Sequence, residues 1–136
     1  MSLKPIMPHT KIRLYSVVYT ERGNYLHAVI IGKEDSLQTS INFWTEVLDE
    51  TLARGFKKVL VEEDFENVLS PLEMYGLVKH FGALNYSSLQ IAFFDNQPKH
   101  KLENDFAEMA AHNLGLNVRV CDSLADAESW LSSTPD

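Results

Sequence analysis

A chain of 136 residues, 45% apolar and 23% charged, is long enough to bury one hydrophobic core without a metal or disulfide staple, and this composition excludes a disordered or low-complexity protein. Twelve basic against nineteen acidic side chains leave a formal charge of -7, which disfavours nonspecific attraction to nucleic acid or to an anionic membrane surface. Cys121 is the one cysteine, so an internal disulfide and a thiolate metal cluster are excluded and a reducing cytoplasm is the expected setting.

Met1 to Lys11 contains Pro5 and Pro8 and no continuous apolar core; residues 1–11 read as a short tail and not as a signal peptide. No apolar run reaches the roughly 20 residues that a membrane-spanning helix needs. Ile12 to Tyr19 is rich in β-branched and aromatic residues, and Thr20-Glu21-Arg22-Gly23-Asn24 carries turn chemistry before a second such run, Tyr25 to Ile31. That spacing predicts a hairpin. In the second run Leu26, Ala28 and Ile30 share one face, and Tyr25, His27, Val29 and Ile31 share the other. Both faces suit burial, as in a strand lying inside a sheet.

Asp35 or Ser36 is placed to cap the helix that follows. Within it Leu37, Ile41, Trp44, Leu48 and Leu52 recur at three- and four-residue spacing and predict one apolar stripe against the sheet, with Phe43 flanking it or partly exposed. Arg54-Gly55 ends the helix. Lys57-Lys58-Val59-Leu60-Val61-Glu62-Glu63-Asp64 is the expected central strand, an apolar run that opens into a loop at its carboxyl end. Ser70-Pro71-Leu72-Glu73 has the spacing of a capping box with proline at the first helical position. Leu89 to Phe94 is the next strand, followed by the loop Asp95-Asn96-Gln97-Pro98. Leu102, Phe106, Met109, Ala110 and Leu114 then supply a helical face that stops at Gly115, Asn117 to Cys121 is the last strand, and Ser123 starts a short closing helix that docks Ala127, Trp130 and Leu131. The expected domain is α/β and runs over residues 12–131, a mixed five-stranded sheet with an initial β-hairpin and about four helices in the order β-β-α-β-α-β-α-β-α. Residues 132–136 form a second tail.

The hairpin, the strand ending at Glu62-Glu63-Asp64, the Ser70-Pro71 helix and the short closing helix together resemble the STAS, or anti-sigma-factor-antagonist, domain, especially its diverged SpoIIAA-like branch, from Ile12 to Leu131. The resemblance implies a noncatalytic domain that binds a protein partner, often a regulatory kinase, or serves as an accessory domain; some diverged relatives are thought to bind lipids or other small ligands. In the switching members a phosphorylated serine follows the third strand in an Asp-Ser-Ser/Thr-Gly pattern. Asp64-Phe65-Glu66-Asn67 stands there in this chain, and the first serine beyond it is Ser70, so the pattern that carries the phosphoswitch is absent.

Glu62, Glu63, Asp64 and Glu66, with Ser70 beyond them, are the candidate partner-binding residues, because open α/β sheets expose binding groups at the carboxyl ends of their strands. A solvated cluster is the plainest account of these acids; recognition of a cation, a basic peptide or a polar ligand is the functional one, and metal or catalytic use a third. Ser70 is accounted for as a helix cap, with phosphorylation as the alternative. Trp44, Phe65, Met74, Tyr75 and Asp95 are the candidate lining of an apolar pocket or, if exposed, part of a homodimer contact, against plain packing. Asp95 near Asp64 would make a carboxylate pair for acid-base or magnesium chemistry, with turn stabilisation the simpler role. The five histidines make no compact metal signature, Cys121 reads as a small semi-buried residue, and no Gly-x-Ser-x-Gly, dinucleotide or phosphate-loop motif is present. The expected function is therefore a noncatalytic regulatory or accessory module that recognises a protein, either an unidentified partner or a second copy, through the acidic loop and adjacent helix. The alternative is a module for a lipid or other apolar small molecule, and a carboxylate-dependent enzyme comes after both. No cofactor, metal, nucleic acid or integral membrane association is expected.

Overall fold

The computed structural model describes residues 13–135. β1 (Tyr15–Arg22) and β2 (Tyr25–Gly32) form an antiparallel hairpin in which Arg22 pairs with Tyr25, and Gly23, at φ 65°, leads the two-residue turn. Glycine takes that left-handed conformation without the Cβ clash that penalises other residues. The chain continues through α1 (Leu37–Ala53), β3 (Lys58–Asp64), α2 (Pro71–Gly82), β4 (Gln90–Asp95), a 3-10 turn (Pro98–His100), α3 (Lys101–Asn113), β5 (Asn117–Val120) and α4 (Leu124–Ser133). The strands lie in chain order across one sheet, with β2 to β5 parallel. This is the mixed five-stranded α/β sheet with an initial hairpin and four helices that the sequence predicts. The tail expected over residues 1–11 lies outside the described residues, together with Ile12 and Asp136. At the other end α4 runs past Leu131 to Ser133, and Thr134 Oγ1 donates to Gln90 Oε1 at 2.8 Å, so residues 132–134 belong to the packed structure.

Chain-order stepping decides how the two faces are covered. Every parallel crossover moves one strand in the same direction, and right-handed crossovers then put all of their helices on one side. Phe43 and Val47 of α1, Val78 and Phe81 of α2, and Ala110 and Ala111 of α3 accordingly share a core with Leu26, Ala28, Ile30, Val59, Val61, Ile91 and Phe93. α4, which follows the last strand, covers the opposite face, where Ala127 and Leu131 pack on Tyr25, Leu60 and Ala92. Lys58 is fully buried on that side, and its Nζ donates to the carbonyls of Leu131 and Thr134 at 2.7 Å each. A cation at the carboxyl end of α4 meets the negative end of the helix dipole.

Two helical faces differ from expectation. In α1 the sheet takes Thr39, Ser40, Phe43, Val47, Leu48 and Thr51, whereas Leu52 is 44% exposed and Trp44 lies at the side, half-buried. Apolar residues at both 43–44 and 47–48 make two overlapping stripes possible, and the docking angle selects the one through Phe43 and Val47. In α3, Leu102 is 80% exposed and Met109 is also exposed, while Asn104, Ala110 and Ala111 are buried. The sheet is already crowded with Ile91, Phe93 and Leu116 on this side, so α3 approaches through short side chains.

Candidate functional site

The carboxyl end of β3 divides the acidic run between the two faces. Strand side chains alternate, so Val59, Val61 and Glu63 point toward α1–α3 while Glu62 and Asp64 point the other way. On that other face Glu62 is fully engaged: its Oε1 lies 2.9 Å from His27 Nε2 and its Oε2 accepts from Asn96 Nδ2 at 2.9 Å. Asp64 Oδ1 accepts from Gln97 Nε2 at 3.0 Å. Ser70 accepts from the Glu73 backbone N–H, and Glu73 Oε1 accepts from the Ser70 N–H, which closes the expected capping box. Glu66 is exposed, and its backbone N–H donates to the Lys33 carbonyl.

Between the sheet and the three-helix layer lies a cavity of about 100 Å³. Met74, Leu77, Val78 and Phe81 of α2 roof it, Trp44 and Leu48 of α1 form one wall, and Ala107 and Ala111 of α3 form another. Its floor is Ile91 and Phe93 of β4 with Val118 and Val120 of β5. The space exists because α3 turns alanines inward where larger residues would fill it. At the strand ends Phe65 closes over the cavity: a Cβ at Gly32 would overlap its ring, so glycine permits Phe65 to fold back and stack on Phe43 at 5.6 Å between ring centres. Trp44 contacts Phe93 at 6.0 Å between ring centres.

Three carboxyls, Asp35, Glu63 and Asp95, meet at the strand-end side of this cavity, and they are treated differently. Asp35, in the loop before α1, accepts from Ser40 Oγ at 2.7 and 2.9 Å and from the Ser36 N–H at 2.8 Å. Burial pushes its pKa up to about 6 against those bonds, and the nearby charges of Glu73 and Asp95 add to the rise. Asp95 is saturated: Oδ2 accepts from His100 Nδ1 and Asn104 Nδ2 at 2.9 Å each, and Oδ1 accepts from the Gln97 N–H at 2.8 Å. Glu63 is 9% exposed and has no hydrogen-bond or ion-pair partner among the described residues. Burial first, then Asp35 and Asp95, hold its pKa well above the usual carboxylate range. A protonated carboxyl is both a donor and an acceptor, and neither capacity is used here.

Of the pocket residues named from sequence, Trp44, Phe65, Met74 and Asp95 line the cavity, whereas Tyr75 is exposed on the outer side of α2 and is not part of the lining. Glu63, grouped by sequence with a surface cluster, faces the cavity. The Asp64–Asp95 pair required for acid-base chemistry does not form, because Asp64 and the cavity lie on opposite faces of the sheet. Among the described residues no three His, Cys, Asp or Glu side chains are arranged to hold a metal ion. Sequence reasoning missed Asp35 as a site residue, along with Ser40, Asn104 and Glu108. The available signal was polar residues on the inward positions of otherwise apolar helices: Ser40 lies on the face of α1 that carries Phe43 and Val47.

The order of elements is β-β-α-β-α-β-α-β-α around one mixed five-stranded sheet. Comparison with solved structures adds a likeness of fold. The NMR structure of the protein TM1081 covers 98% of this chain and 100% of its own at 15% identity, with a TM-score of 0.49. No family model and no curated protein matches the sequence.

Proposed function

We propose that this chain is a noncatalytic binding module whose occupant is a small, largely apolar molecule held beneath α2 with its polar end at Glu63. One observation carries the reading: a nine-tenths-buried carboxyl without a partner faces a largely apolar space. Leaving such a group unmet costs about 1–3 kcal/mol, which a ligand with a complementary polar group recovers on binding. A volume of about 100 Å³ suits a short alkyl or single-ring group rather than a drug-sized molecule, whose sites span roughly 300–1,000 Å³.

Filling the cavity tests this. Ala107→Leu places a branched side chain in the space that α3 leaves open. Native mass spectrometry of gently purified chain is expected to find a retained small molecule in the parent and none in A107L. Equal retention by a folded A107L, or none by the parent, overturns the reading.

A second reading, recognition of a protein partner or a second copy, is supported by a different observation. Leu72, 81% exposed, and Leu102, 80% exposed, lie in the first turns of α2 and α3, and Tyr75 and Glu66 are exposed near them in the chain. Helices of parallel crossovers begin at the carboxyl edge of the sheet, so this surface surrounds the same end of the molecule. With Glu62, Asp64 and Ser70 engaged internally, a partner would meet Glu66 and the leucines. Sedimentation of the parent beside Leu72→Ser/Leu102→Ser tests self-association: a dimer that the double variant dissolves supports the reading, and a monomer at all concentrations removes the second-copy form of it.

A further inference from the structure

We infer that the molecule which fits this cavity is a small primary amine carrying an apolar group of about benzyl or butyl size, its ammonium lying against Glu63. The inference rests on the cavity reading above and adds the chemistry of the polar group. The residues lining the space include four carboxyls, Asp35, Glu63, Asp95 and Glu108, and, among the described residues, no lysine, arginine or histidine. A wall with acids and without a cation selects against an anionic headgroup, because like charges in a low-dielectric space repel strongly.

The partners of those acids single out Glu63. Asp35 is held by Ser36 and Ser40, and Asp95 by Gln97, His100 and Asn104. Glu108 Oε1 accepts from the Val120 N–H at 2.9 Å. Glu63 alone of the four is nine-tenths buried, aimed into the space and unmet. The groups that act on it from the surrounding elements are Asp35 in the β2–α1 loop and Asp95 on β4. Glu73 on α2 acts on Asp35, and His100 is joined to Asp95. An alcohol or amide would use Glu63 as a hydrogen-bond partner only. An alkylammonium instead brings a positive charge to a point where several carboxyls converge, and it makes the ionised form of Glu63 favourable.

Binding is then linked to proton release. The free protein holds the Glu63 proton because burial and its acidic neighbours disfavour the charge. The bound ammonium reverses that preference, and the proton leaves to solvent. The polar end sets selectivity and pH dependence; Trp44, Phe93 and Met74 give the apolar end its contacts. An apolar cavity of roughly 150 Å³ accepts benzene; this space is smaller, about 100 Å³, so the slimmer butylamine is titrated beside benzylamine.

Calorimetric titration of the intact chain with benzylamine, benzyl alcohol, benzoate and toluene, at pH 7 and pH 8 and in two buffers of different ionisation enthalpy, tests the inference. Benzylamine is expected to bind at least tenfold more tightly than benzyl alcohol, and to gain affinity as pH rises with net release of protons. Benzoate is expected not to bind. Glu63→Gln is expected to keep its affinity for benzyl alcohol and to lose both the amine preference and the proton release. Benzyl alcohol, toluene or benzoate binding as tightly as benzylamine, or amine binding without proton release, overturns the amine inference and leaves the cavity reading standing. If neither these four probes nor butylamine binds, the cavity reading itself falls. The ligand ranking and the proton count are measured on the parent chain, so both remain decisive if E63Q does not fold.

Discussion

Glu62 and Glu63 are adjacent in β3, yet the two faces of the sheet give them opposite environments. On the α4 side, Glu62 meets His27 and Asn96, both at 2.9 Å. On the three-helix side, Glu63 meets apolar walls and two further carboxyls. A polar group that loses water is retained without loss of stability when it gains partners, and at a cost when it does not. The first arrangement is structural, a clasp between β2, β3 and the loop after β4. The second leaves a buried carboxyl unmet, at a cost in stability.

The largest effect expected from disturbing this comparison comes from removing the wall that makes the three-helix side dry. Phe43 is fully buried against Tyr15 and Phe65, and Phe43→Ala is expected to lower unfolding free energy in urea by about 3–5 kcal/mol. A loss under 1 kcal/mol would show that this side is not a packed layer.

Next come matched substitutions at the two neighbours, with opposite signs. Glu62→Leu strips His27 and Asn96 of their acceptor and is expected to destabilise by about 1–3 kcal/mol, while Glu63→Leu removes an unmet carboxyl and is expected to stabilise by about the same amount. Thermal unfolding of the two variants decides it; equal destabilisation would mean that Glu63 has a structural partner after all.

The pH dependence separates the two faces as well. Asp35 is raised from 3.8 to about 6 and Glu63 is raised well above its ordinary range, so the unfolded chain releases these protons at lower pH than the folded one. Their contribution to stability is fully present below about pH 4 and falls as pH rises through each raised value. Glu63→Gln, which cannot ionise, is therefore expected to gain stability relative to the parent from pH 4 to pH 8. A difference that is constant over this range would place Glu63 in an ordinary solvated state.

The smallest expected change is at the cap. Ser70→Ala opens the capping box of α2 and is expected to cost about 1 kcal/mol, with Glu66→Gln as a surface control within about 0.5 kcal/mol of the parent. A Ser70 effect no larger than the control would mean that α2 is held by its packing alone.

Much of this was legible in the chain itself. Gly23-Asn24 between two β-branched runs, the Ser70-x-x-Glu73 spacing and the short apolar strands announce a hairpin, a capped helix and a buried sheet through local sterics and hydrogen bonding. Alternation even separates Glu62 from Glu63, since period two is a property of any strand. Less legible were the inward faces of α1 and α3. Apolar residues at 43–44 and 47–48 satisfy helical periodicity in two registers, and in α3 the larger residues Leu102 and Met109 draw attention from Ala110 and Ala111, which do the packing.

What the sequence by itself determined was therefore local: which segments are strands and helices, how each begins, and that neighbouring acids of one strand point to opposite sides. The tertiary structure alone decided what each side meets. Right-handed crossovers stepping one way across the sheet put three helices over Glu63 and one over the opposite face, and the contrast between a partnered acid and an unmet buried one depends on that covering, because desolvation is set by neighbours distant in the chain.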